Sequence, residues 1–204
     1  MLRDVPGLVL CVPSHPADAP LLLRECVRLA EREGRVCVVV EPIALYHSRD
    51  LHEPGDGLWT APLSAAGSAH GPSLHRGGSD LLIITFGNGV PMSLRAARAL
   101  DGDGVHSTVI DLRWLAPLPM AEVAALAAGF ARVLVVDETR ASGGVGEGVV
   151  AGLVDRGYAG ALARVASADS FVPLGPASSH VLLGEDEIVS VARRLSGIEV
   201  RNGH

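Results

Sequence analysis

The chain has 204 residues and a formal net charge of −6, and it is 48% hydrophobic but only 3% aromatic, so any core is aliphatic. That length holds one large domain or one domain with part of another, and the acidic balance argues against nucleic acid as the main partner, because phosphate neutralisation needs a basic face. All 17 basic residues are arginine, which removes a Walker-type lysine, a Schiff-base lysine and a lysine general base.

Residues 7–13 (GLVLCVP) read as a short apolar strand closed by proline. Ser14 is an N-cap candidate, with Pro16 near the first helical position. A helix is expected over 17–33, with Leu22, Cys26, Leu29 and Ala30 near one face and Gly34 ending it. Residues 35–41 (RVCVVVE) form the next strand, completing a βαβ unit that cannot bury both faces alone. Cys11, Cys26 and Cys37 sit in apolar patterns rather than at metal-ligand spacing, as buried, reduced thiols of a cytoplasmic protein would. No apolar run approaches the ~18 residues of a membrane span, and no signal-peptide pattern opens the sequence.

Residues 42–79 change character, rich in Gly, Pro, Ser, His and Ala without a lasting period, and 46–79 is read as a linker with a possible short strand at 58–60. Then come three continuous apolar runs, 80–86 (DLLIITF), 107–112 (STVIDL) and 132–137 (RVLVVD), of the kind found in strands buried on both faces. Helix-length segments at 91–100 and 120–128 lie between them. The short connections have one common solution, right-handed crossovers on a mostly parallel sheet, so the fold class is α/β with three layers, α/β/α. A helix at 146–156, a strand at 163–166, an irregular stretch to about 184 and an amphipathic helix at 186–195 complete the chain.

The turn at 142–148 (SGGVGEG) and the turn at 85–89 (TFGNG) both join a strand end to a helix start, where N–H groups favour an anion. Neither carries the third glycine of a dinucleotide fingerprint, and tight backbone packing explains them better than phosphate binding. His47, Asp50, His52, Glu53 and Asp56 crowd one loop without any strong metal-ligand spacing, and His70 and His75 read as bystanders. No nucleophile elbow or Ser-x-x-Lys occurs, and no cysteine stands in an electropositive loop. Asp137, Glu138 and Arg140 follow a strand and read as a salt-bridged rim.

Four stretches together resemble one family: 5–19 (VPGLVLCVPSHPADA), 38–46 (VVVEPIALY), 109–118 (VIDLRWLAPL), and 135–138 (VVDE) followed by 143–146 (GGVG). They are similar, in family order, to the beta subunit of the thiamine-diphosphate-dependent decarboxylating component of 2-oxo acid dehydrogenase complexes, within the transketolase superfamily. Transketolase and deoxyxylulose-phosphate synthase share the later elements, but a strand ending in Glu41 and followed by Leu45 and Tyr46 is the 2-oxo acid dehydrogenase pattern.

The resemblance implies that 80–204 is the transketolase C-terminal domain and that 1–45 is only the closing βαβ unit of the preceding pyrimidine-binding domain. The family's activating glutamate, its aminopyrimidine stack and its active-site histidine fall outside this stretch, so no catalytic, cofactor-binding or metal residue is carried over. Residues 31–35 depart from the family where a monovalent cation binds, and that site is not assigned.

Thiamine diphosphate and magnesium belong to the implied parent enzyme, with none expected on this chain alone. The implied partners are an alpha subunit, the rest of the beta subunit, the lipoyl acyltransferase component and further copies of the chain. The implied role is assembly in oxidative decarboxylation of a 2-oxo acid with acyl transfer to lipoyl. The alternatives are a free-standing, non-catalytic binding or oligomerisation domain, or part of a transketolase-like transferase. The apolar flank formed by Cys11, Val12, Val36, Val38 and Val40 favours the first.

Overall fold

A computed structural model describes residues 2–64 and 67–198; the last six residues of the expected C-terminal domain lie outside the described residues. The chain begins with strand β1 (Val9–Cys11), helix α1 (Asp18–Glu33) and strand β2 (Cys37–Val39). Helix α1 stops where Gly34 adopts a left-handed φ of 63° and its N–H bonds back to Leu29 O. Its start differs from expectation. Ala17, not Ser14, is the cap residue, because the Ser14 hydroxyl is taken up elsewhere, accepting the buried Gly87 N–H at 2.8 Å.

The later part is built from β3 (Ser73–Arg76), β4 (Leu81–Thr85), α2 (Gly89–Asp101), β5 (Ser107–Asp111), β6 (Trp114–Ala116), α3 (Met120–Ala127), β7 (Arg132–Arg140), α4 (Val145–Asp155), β8 (Ala161–Ser167) and α5 (Glu185–Leu195). Five strands make one sheet in the order β3-β5-β4-β7-β8, all parallel except β3, which runs antiparallel to β5. Alternate faces of β4 explain the layering: Leu81 and Ile83 pack with α2 and α5, while Leu82 and Ile84 face α3 and α4. Both faces are fully covered, as continuous apolar strands require.

Two features depart from the sequence expectations. Residues read as linker supply β3 and so enter the main sheet, whereas 58–60 is a turn and not a strand; its Trp59 is buried with 2% exposure. Strand β6 leaves the main sheet after β5 and pairs antiparallel with β1, giving a second sheet of order β2-β1-β6. The switch is made at Arg113, whose φ is +58°, a conformation rare outside glycine. Its carbonyl accepts the Val12 N–H at 2.8 Å, so the first βαβ unit is stitched to the later domain by main chain as well as by packing.

Candidate functional site

Where the two sheets meet, polar side chains from distant segments converge. Arg113 and Asp18 form an ion pair at 2.9 Å with side chains only 4% and 7% exposed. The guanidinium also donates to the carbonyls of Ser68, His70 and Gly71, and the Trp114 indole N–H donates to Ala69 O at 2.7 Å, so this pair of residues pins the loop before β3. Asp111, at the end of β5, accepts the Arg113 N–H through Oδ1 at 2.9 Å and is wholly buried. Burial pushes its pKa up to about 7.

His75, placed by β3, points its Nε2 at Asp111 Oδ2 across 4.0 Å, and neither atom has a hydrogen-bond partner. Burial holds this imidazole neutral, with its pKa brought down to about 4. His15 lies beside it, 5.7 Å between ring centroids, and meets Trp59 edge-on at 4.9 Å; burial lowers the His15 pKa as well. A cleft of about 390 Å³ lined by His15, Asp18, His75 and Arg113 leads to this cluster. His75, read from the sequence as a bystander, is thus buried within a polar cluster. Sequence reading misses it because the strand that places it is short, polar and at a sheet edge.

The glycine turns have a different use. Asp137 Oδ2 accepts the Gly146 N–H at 2.6 Å, Glu147 accepts that of Gly143 at 2.9 Å, and Glu138 accepts that of Asn88 at 3.1 Å. The chain's own carboxylates thus occupy the amides that would cradle a phosphate. A diphosphate cofactor does not fit these turns while those amides are engaged. Burial raises the Glu138 pKa. Asp137 and Glu138 cap helices rather than pair with Arg140, which instead donates to Ser142 O, so the expected salt-bridged rim is replaced by a capping network.

The acidic loop is likewise self-satisfied. Asp50 accepts the N–H groups of Gly55 and Gly57, and Asp56 accepts those of Leu51, His52, Glu53 and Leu58, which hold its carboxyl well below the usual range. Glu53 bonds Arg98. Cys11 and Cys26 are buried free thiols 3.6 Å apart, and Cys37 is partly exposed. Among the described residues no helix is long and apolar enough to cross a membrane.

Residues 72–188 match the family described as Transketolase, C-terminal domain. Over 96% of its length the chain is 33% identical to a pyruvate dehydrogenase E1 component subunit beta of Bacillus subtilis, covering 58% of that protein. It is 32% identical over 95% of its length to the protein of the same name from Staphylococcus aureus, covering 57%. Its fold superposes with a TM-score of 0.72, at 20% identity, on a structure described as a split gene transketolase, inactive beta4 tetramer, covering 98% of this chain and 60% of that one. The chain thus spans less than two thirds of each relative.

Proposed function

The chain belongs to the transketolase C-terminal domain family, and from that premise we propose that it serves as the C-terminal part of the beta subunit in the decarboxylating component of a 2-oxo acid dehydrogenase, contributing assembly and interface. The names of the relatives point to pyruvate as the acid. The alpha subunit, the rest of the beta subunit and a lipoyl acyltransferase are its partners on this reading, and 1–45 is the closing unit of a pyrimidine-binding domain. Thiamine diphosphate would supply the electron sink for decarboxylation, held by the partner portions.

One observation carries the proposal. Among the described residues the outer edge of β2 pairs with no strand, while Val36, Val40 and Ile43 beside it are 67%, 40% and 78% exposed. An open apolar edge of this kind calls for a further strand. Leu23 and Val27 of α1 are exposed apolar residues as well.

The test is complementation. The chain is mixed with the complementary stretch of a beta subunit and with an alpha subunit, and pyruvate decarboxylation is followed with thiamine diphosphate and magnesium. Turnover that requires the mixture supports the reading. A closed self-assembly that takes up no complementary stretch and never gains activity would favour the free-standing oligomerisation domain.

A further inference from the structure

The cluster between the two sheets has no part in the function proposed above, yet it is built as a site. Asp18, His75 and Asp111 each bring one ligating atom to within 4.8 Å of the others. They come from α1, β3 and β5, so only the assembled fold unites them. Asp111 Oδ2, on a residue with 0% exposure, makes no hydrogen bond although the Ser14 hydroxyl lies beside this carboxyl, and the atom it faces, His75 Nε2, is unpartnered too. Buried polar atoms without partners are uncommon and costly, and two that face each other point to an occupant between them.

We propose that this is a binding site for one borderline divalent transition ion, Zn²⁺ foremost, ligated by His75 Nε2 and the carboxylates of Asp18 and Asp111. One imidazole with two carboxylates is a donor set that zinc accepts, and the cleft side leaves a position for water. Arg113 orients both carboxylates, through its main-chain N–H to Asp111 and its guanidinium to Asp18, both at 2.9 Å. The cleft supplies the entry path.

The 4.0 Å between His75 Nε2 and Asp111 Oδ2 is wider than the edge of ~3.3 Å expected for tetrahedral zinc with bonds of ~2.0–2.1 Å. His75 is the ligand free to close that gap. It sits on the edge strand, where the pairing with β5 shifts register between Leu74 and Arg76.

The experiment uses the whole chain, freed of metal with a chelator. Zn²⁺ is titrated in competition with a chromogenic chelator, and Co²⁺ is added separately to read coordination from its visible absorption. Uptake of one equivalent is expected, with the strong ligand-field bands of a low-coordinate cobalt site. His75→Gln and Asp111→Asn should each weaken Zn²⁺ affinity about tenfold or more, while a His47→Gln/His52→Gln double variant in the acidic loop should not. Should Asp111→Asn fail to fold, His75→Gln at the sheet edge decides alone. The proposal is overturned if the chain takes up no stoichiometric Zn²⁺, which would leave a bridging water as occupant, or if uptake survives His75→Gln.

Discussion

Replacing Asp18 by Asn would strip the buried Arg113 guanidinium of its counter-charge while keeping the side chain's shape. Arg113 would retain the carbonyls of Ser68, His70 and Gly71, but no anion would balance a side chain that is only 4% exposed. Breaking a buried pair from one side costs about 3–5 kcal/mol, most of it the penalty of the charge left behind. For a domain of this size that corresponds to a fall in Tm of about 6–20 °C. Urea denaturation of the native chain, Asp18→Asn, Arg113→Met and the double variant gives the coupling directly. The double variant should lose much less than the sum of the singles. A loss below about 1 kcal/mol for Asp18→Asn, the range of an exposed pair, would refute the reading of Asp18 and Arg113 as a buried ion pair whose breaking leaves an uncompensated charge.

Other expectations follow from equally local features. Ser14→Ala leaves the buried Gly87 N–H without its acceptor and should cost about 1–3 kcal/mol in the same assay. In Gly144→Ala the new Cβ would lie 2.7 Å from Arg140 O and 2.6 Å from Asp137 Oδ2, so a loss of about 1–3 kcal/mol is expected. Gly77→Ala, which meets nothing within 4 Å and needs no positive φ, should stay within about 0.5 kcal/mol.

Between roughly pH 4 and 6.5, His75 is neutral when folded and protonated when unfolded, so by itself it makes stability rise with pH. Between roughly pH 4 and 7 Asp111 is protonated when folded and charged when unfolded, so by itself it makes stability fall with pH. In metal-free buffer the two slopes oppose. His75→Gln should therefore expose a fall and Asp111→Asn a rise, each at most about 1.4 kcal/mol per pH unit, and a flat response from both variants would contradict the protonation states assigned. Finally, Val36→Lys with Ile43→Lys should leave the isolated chain folded by circular dichroism yet abolish complementation; unchanged complementation would remove the β2 edge from the interface.

Most elements of the main sheet are legible in the sequence. The runs at 80–86, 107–112 and 132–137 are apolar at every central position because both faces are covered, and each appears as a strand within a residue or two except β7, which continues to Arg140. Helices α1 and α2 stop at Gly34 and Gly102, a local signal that is readable in the sequence. What escaped was marginal in local terms. Strand β3 (SLHR) has no apolar run, and β6 (WLA) looks like the continuation of β5, since nothing local reveals that Arg113 turns the chain into another sheet.

The candidate site was less legible still. The dense groups of charge and glycine that draw attention in the sequence turn out to be largely self-satisfied, with Asp50, Asp56 and Asp137 spent on main-chain amides nearby in the chain and Glu138 on the distant Asn88 N–H. Local proximity lets such groups bind each other. By itself the sequence determined the alternation of strand and helix, the aliphatic core and the family motifs, because these depend on neighbours within a few turns of chain. Only the tertiary structure decided that Asp18, His75 and Asp111 meet, since their separation along the chain carries no trace of a distance set by how two sheets pack.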